Sequence, residues 1–237
     1  MSTLSADGVP NLAPFSYFSM VCPSAVSLLA PKTHAEPWLG QIGHNPPMLS
    51  ISYSLTTRRP KDTRENILAT RQFSVNIVNE HLAVPMNATS VWSVRRMWTS
   101  GRLRDSGSGQ VFVGIKPALV DASSVNFECE VGQTSNLAAQ GLIPPQLYHH
   151  FDIVPLSETG QANLPPTTTL ILGLIQRVHV NESILTPDGS AIDPAKLRAV
   201  ARLGGTAYAK VNEGFELARP VWKEMRKEMD EAKRGRE

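Results

Sequence analysis

The chain has 237 residues, 41% of them hydrophobic, enough to bury a core in one large domain or two small ones. Lys and Arg number 23 against 21 Asp and Glu, leaving a net charge of +2, and much of the charge gathers near the C-terminus, so no basic face speaks for nucleic acid. The longest apolar runs, such as "LILGLI" at 170–175, are too short to cross a bilayer, and the opening "MSTLSADG" lacks the pattern of a secretion signal. Two distant cysteines, Cys22 and Cys129, lack the spacing of a zinc site or redox pair and read as free thiols in a reducing compartment. These features predict a cytoplasmic protein with no metal and no nucleic-acid or membrane partner.

Along the chain, "LSADGVPNLAPFSYFSM" at 4–20 predicts a strand, a tight turn at Asp7-Gly8 and a second strand. That second strand, over Asn11–Phe18, alternates Asn11, Ala13 and Ser16 with large apolar residues but carries Pro14, which cannot donate to a ladder. Local loss of pairing there leaves backbone groups free to face a ligand. Residues 22–45, with three prolines and no period, read as a long loop. Strands follow at 48–55 and 73–78. Between them a helix begins, with Asp62 as its cap and Glu65 completing a variant of the capping box. A short helix over 80–89 contains Pro85, and residues 90–116 show no regular pattern. Strands return at 125–131 and 168–180, followed by a turn at Asp188-Gly189. Asp193-Pro194 then opens a helix through "AKLRAVARL" that stops at Gly204-Gly205. From 217 to 237 the tail is amphipathic, with Trp222, Met225, Met229 and Ala232 on one stripe.

Several chemistries fail on local context. Ser108 lies between glycines but lacks the strand-to-helix setting of a nucleophile elbow, and Gly107 and Gly109 are followed by Phe112 where a dinucleotide fingerprint needs a third glycine. His149 and His150 are adjacent and have no accompanying carboxylate or cysteine cluster. "SYSLTTRRPKDTREN" is more informative: Ser52, Ser54, Thr56 and Thr57 precede two arginines, Lys61 and a helix start at Thr63. Hydroxyls, an ammonium group and helix N–H groups are the parts of an anion site, although the same residues also read as an ordinary capped helix with solvated basic neighbours. Beside it, Asn11, Ala13, Pro14, Ser16, Tyr17 and Phe18 offer backbone groups, a hydroxyl and a flat apolar wall. A phosphate site next to a planar wall suggests flavin mononucleotide, FMN.

The sequence resembles the flavin reductase-like proteins, an FMN-binding split β-barrel family. "STLSADGVPNLAPFSYFSMV", "PPMLSISYS", "RPKDTRENILATRQFSVNIVNE", "MNATS", "VNFECEV" and "KLRAVARLGGTAYA" occur in the family's order and span most of the chain. The resemblance implies a mainly β, α+β fold over residues 1–216 and a homodimer with each flavin near the subunit interface. It also implies flavin reduction by NADH or NADPH. Asn11 to Phe18 resembles the segment bordering the ring and ribityl chain, Ser52 and Ser54 its next polar contacts, and Lys61, Asp62 and Thr63 the phosphate end. Arg202, Leu203, Gly204, Gly205 and Tyr208 resemble a C-terminal motif that approaches the flavin, across the dimer. Relatives begin several residues before "STLSADG" and pass from "FSMV" to "NPPMLSIS" by a short loop. Here residues 23–43 form an atypical insertion that borders the expected site.

The expected activity is therefore an NAD(P)H-dependent, FMN-binding oxidoreductase that passes electrons to a small molecule or a partner oxygenase. No catalytic side chain is expected, because the cofactor carries the chemistry. The alternative keeps the flavin without turnover: a flavin-binding or sensing protein, or one whose insertion has disabled it.

Overall fold

A computed structural model of the chain describes residues 1–16, 18–20, 47–55, 60–90, 115–131, 150–154, 164–215, 217, 219–223 and 225–226. Tyr17, the 23–43 insertion, Thr56, Thr57, the glycines flanking Ser108, His149 and most of the 217–237 tail lie outside the described residues.

Among the described residues, eight antiparallel strands form one sheet. Ser2–Leu4 (β1) turns at Asp7-Gly8 into Pro10–Leu12 (β2), with Gly8 at φ 77° as that turn requires. Phe18–Met20 (β3) pairs with Met48–Ser54 (β4). Helix α1 (Asp62–Thr70) leads into Gln72–Asn76 (β5), and a 3-10 turn at Glu80–Leu82 runs into the short helix α2 (Ala83–Ala88). Val125–Glu130 (β6), His150–Ile153 (β7) and Thr168–Val180 (β8) complete the sheet, in the order β2-β1-β5-β6-β8-β4-β3 with β7 also on β8. Strand β8 is long enough to serve two neighbourhoods: residues 168–174 pair with β4 and residues 174–180 with β6.

The core lies on one face of this sheet. Leu49, Ile51 and Tyr53 alternate inward from β4, and Phe73, Val75, Phe127, Cys129 and Ile171 meet them, with Ile67 of α1 closing one side. On β5 the outward residues are spent differently. Lys116 N–H donates to Gln72 Oε1, Ser74 Oγ donates to the Ala118 carbonyl, and Val120 N–H donates to Asn76 Oδ1, at 3.0, 2.9 and 2.9 Å. Every second side chain of the strand thus straps residues 116–120 across its outer face.

Three sequence expectations change. Asn11–Phe18 is not one strand: β2 ends at Leu12, β3 begins at Phe18, and Ala13–Ser16 form the crossing between them. Because β2 and β3 are the two ends of the sheet order, this crossing joins one sheet edge to the other, and Pro14 sits where no ladder demands an N–H. Asp62 is the first helical residue rather than the cap; Lys61 holds the N-cap position with no side-chain cap bond. The expected helix over 194–203 is one turn, α3 (Pro194–Leu197), with Asp193 Oδ1 accepting from Ala195 N–H at 2.9 Å. Arg198, at φ 51°, ends it, and Ala199–Gly204 (β9) pairs with Ala207–Val211 (β10) as a separate hairpin. Gly204-Gly205 therefore makes a hairpin turn, not a helix stop, and Gly204 at φ 117° holds a conformation that L side chains resist. Strand β7 was not foreseen.

Candidate functional site

The crossing Ala13–Ser16 is anchored at both ends. Met1 and Ala13 exchange backbone hydrogen bonds of 2.8 and 3.0 Å, extending the β1–β2 pairing one step. Phe15 packs on Tyr53 with ring centroids 4.6 Å apart at 43°, a tilted contact that fixes the crossing against the core. Tyr53 is fully buried, and its hydroxyl donates to the Met1 sulfur at 3.7 Å. Burial raises its phenol far above the usual range, so it stays neutral at any physiological pH.

Behind the crossing lies a cavity of about 400 Å³. Leu12 to Ser16 form one wall, Val75 to Val78 the floor, Leu82, Pro85 and Met86 of the α2 region a second wall, and Val200 to Arg202 with Tyr208 the rim. Among the described residues no acidic side chain, lysine or histidine lines it, and Arg202 is its charged side chain. Arg202 Nη2 donates to the Gly205 carbonyl at 2.7 Å while its guanidinium lies 5.9 Å from the Tyr208 ring centroid, so the hairpin braces its own cation at the rim.

The hairpin reaches the cavity because it is docked on the segment after β5. Val200 N–H donates to the Val78 carbonyl and Glu80 N–H to the Arg198 carbonyl, at 3.1 and 3.0 Å. Arg198 and Lys210 then converge on Glu80 Oε2 at 2.7 and 3.5 Å. The hydrogen bond from Arg198, then one from Asn212, holds the Glu80 carboxyl below the ordinary value of 4.5.

The helix start adjoins the same region. Asn11 Nδ2 donates to Thr63 Oγ1 at 2.9 Å, tying β2 to the second residue of α1, and Thr63 is buried. Lys61 is exposed just before it. The first helical bond runs from Glu65 N–H to the Lys61 carbonyl, so the N–H groups of the opening turn have no intrahelical acceptor. Arg64 clamps this end to the sheet: Nε donates to Thr169 Oγ1 at 2.9 Å, Thr169 donates to Asp152 Oδ1 at 2.6 Å, and Arg64 pairs with Asp152 and Glu65.

Of the residues named from sequence, Ala13, Pro14, Ser16, Arg202 and Tyr208 line one cavity within a single chain. Asn11 and Thr63 join it to the α1 start, with Lys61 and Asp62 at the same helix end. Ser52 and Ser54 stand on β4 on the face opposite Ile51 and Tyr53 and do not border the cavity. Leu203 is 69% exposed at the hairpin tip, and Gly204 and Gly205 form the turn beyond it. Phe18 lies in β3. Sequence reading missed the apolar Val75, Ile77, Val78, Leu82, Pro85 and Met86, whose only signal is that two separate elements turn them toward one space.

A planar ring system suits an apolar slot of this size whose rim carries one cation, and acceptor-only phosphate oxygens suit a helix start with a buried hydroxyl beside it. The residues present therefore fit FMN. Among the described residues no helix is long and apolar enough to cross a membrane, and no three His, Cys, Asp or Glu gather as metal ligands.

An open antiparallel sheet whose edges are joined by a single crossing, with the cavity behind it, is the architecture of a flavin-handling split barrel. The chain belongs to the flavin reductase like domain family, whose model matches residues 23–188. It is 28% identical over 224 residues to the uncharacterized protein YwrF of Bacillus subtilis, a match covering 93% of this chain and 85% of that one. Among solved structures it is similar to nitrilotriacetate monooxygenase component B from Bacillus cereus, at 23% identity and TM-score 0.60, covering 91% of this chain and 84% of that one. It is also similar to a structure from Shewanella frigidimarina described as a flavin reductase with split barrel domain, at 19% identity and TM-score 0.57, covering 93% and 83%. The matched span 23–188 takes in α1, the α2 region and β4–β8, while the crossing and the β9–β10 hairpin flank it on either side.

Proposed function

We propose that the protein is an NAD(P)H-dependent, FMN-binding oxidoreductase that passes electrons to a second acceptor, either a small molecule or a partner oxygenase. One observation carries the reading: a single cavity gathers the Ala13–Ser16 crossing and the Arg202–Tyr208 rim, and Asn11 links it to the buried Thr63 at the α1 start. Bound FMN would supply a two-electron carrier that takes hydride from a reduced nicotinamide and yields it onward. The chain's own part is binding, orientation and exclusion of water. Pro14, Phe15, Val75 and Met86 would shield the ring with apolar surface, and the Ser16 region would leave one side open for a transient second ring. Arg202 would stabilise negative charge on the ring system. Lys61, Thr63 and the first helix N–H groups would hold the phosphate, with no acid–base residue required.

A homodimer is part of the proposal. Phe215, Leu217 and Trp222 are exposed at 88%, 87% and 65% on the segment leaving β10, apolar surface that a second copy of the chain would cover. A cytoplasmic setting is supported by Cys129, a buried free thiol suited to a reducing compartment.

The test is an anaerobic absorbance spectrum of purified protein with FMN, before and after NADH or NADPH. The expected outcome is a bound-flavin spectrum that bleaches on adding nicotinamide. Protein that takes up no FMN would refute the reading. FMN bound in stoichiometric amount without any bleaching would favour the flavin-binding protein without turnover.

A further inference from the structure

We infer that Thr3 and Asn66, neither of which borders the cavity, are positioning residues that make the site prefer a phosphorylated flavin over riboflavin; the inference rests on the flavin reading above. Thr3 and Asn11 are direct partners across the β1–β2 ladder, so their side chains share the face on which α1 packs. Thr3 Oγ1 accepts from Asn66 Nδ2 at 3.0 Å and from Asn11 Nδ2 at 3.3 Å. The same Asn11 nitrogen donates to Thr63 Oγ1 at 2.9 Å. An amide nitrogen has two hydrogens, and here both are committed, one to each threonine.

Thr63 therefore receives a hydrogen bond from Asn11, which leaves its own hydroxyl proton to donate elsewhere. Phosphate oxygens only accept, so that proton counts toward the anion together with the helix N–H groups. Thr3 matters because it holds the far side of the Asn11 amide. Without it, the amide is free to turn its oxygen to Thr63 and draw the proton inward, away from the phosphate. Asn66 in turn fixes the Thr3 hydroxyl from α1, at a point where Thr3 is 1% and Asn66 8% exposed and water cannot substitute. A ring without phosphate gains nothing from this arrangement, so the network acts on one end of the ligand only.

The experiment is a pair of fluorescence titrations, FMN and riboflavin, on wild-type protein, Thr3→Val and Thr3→Ser. Thr3→Val keeps the shape and removes the oxygen. It should weaken FMN about tenfold, the size of one lost charge-assisted bond, and leave riboflavin within about twofold. Thr3→Ser, which keeps the oxygen, should retain the wild-type ratio. If Thr3→Val does not fold, Asn66→Ala read by the same ratio decides, with a smaller fall in FMN preference expected. An unchanged ratio, or equal weakening of both ligands, overturns the inference while leaving the flavin reading standing. Wild-type protein that binds neither flavin overturns both.

Discussion

At the scale of single residues the fold depends on where side chains are absent as much as on where they are present. Gly173 on β8 is an instance: a Cβ built there would lie 2.5 Å from Cζ and 2.8 Å from Cε1 of Phe73, which is itself fully buried. Gly173→Ala should therefore lower stability by about 1–3 kcal/mol through overpacking, read from urea unfolding midpoints, and pairing it with Phe73→Leu should recover part of that loss. Little of this was legible beforehand, because a glycine in an apolar run gives no sign of which ring will lie against it. Asn11, Thr63 and Lys61 were named from the sequence, the first on a strand and the others at a helix start, but only the structure shows that Asn11 donates to Thr63. Thr3 was not: a lone threonine on a strand acquires meaning only once α1 packs over it.

At the scale of elements, the β9–β10 hairpin forms the cavity rim without belonging to the main sheet. Its attachment runs through Glu80, whose carboxyl is held below its ordinary 4.5 by Arg198 and then Asn212. A depressed carboxyl contributes stability above its unfolded value and loses it as pH falls through the folded one. Glu80→Gln should therefore have a lower urea midpoint than wild type at pH 7, and the two should converge as pH falls below 4.5. A gap that persists in acid would show that packing, not charge, seats the hairpin. Sequence reading took this element for helix because Asp193-Pro194 is a sound start signal and the following residues are good helix formers. The outcome turned on Arg198 entering the left-handed region and on Val200 finding the Val78 carbonyl, a partner more than 100 residues away. The strands at 48–54 and 168–180 were legible because their alternation is set locally by which face meets the core.

At the scale of the whole molecule, strand order was the part least readable from the chain. Nothing in residues 168–180 announces that one half pairs with β4 and the other with β6; that follows from length, since thirteen residues outrun any single neighbour here. Assembly belongs to this scale too. If the exposed apolar segment after β10 is covered by a second copy, size-exclusion chromatography should give twice the 25.9 kDa chain mass, and Trp222→Glu should shift it toward one. The crossing at Ala13–Ser16 has one more consequence. Residues 1–12 form a hairpin tied to the remainder by β1–β5 pairing, by side-chain bonds from Asn66, Asn76 and Tyr53 and the Asn11–Thr63 bond, and by this one stretch of chain. A protease site engineered at Ser16, which is exposed, would turn that hairpin into a separable peptide. Dissociation and readdition of such a fragment would then switch the cavity wall off and on by complementation, with the rest of the sheet left intact.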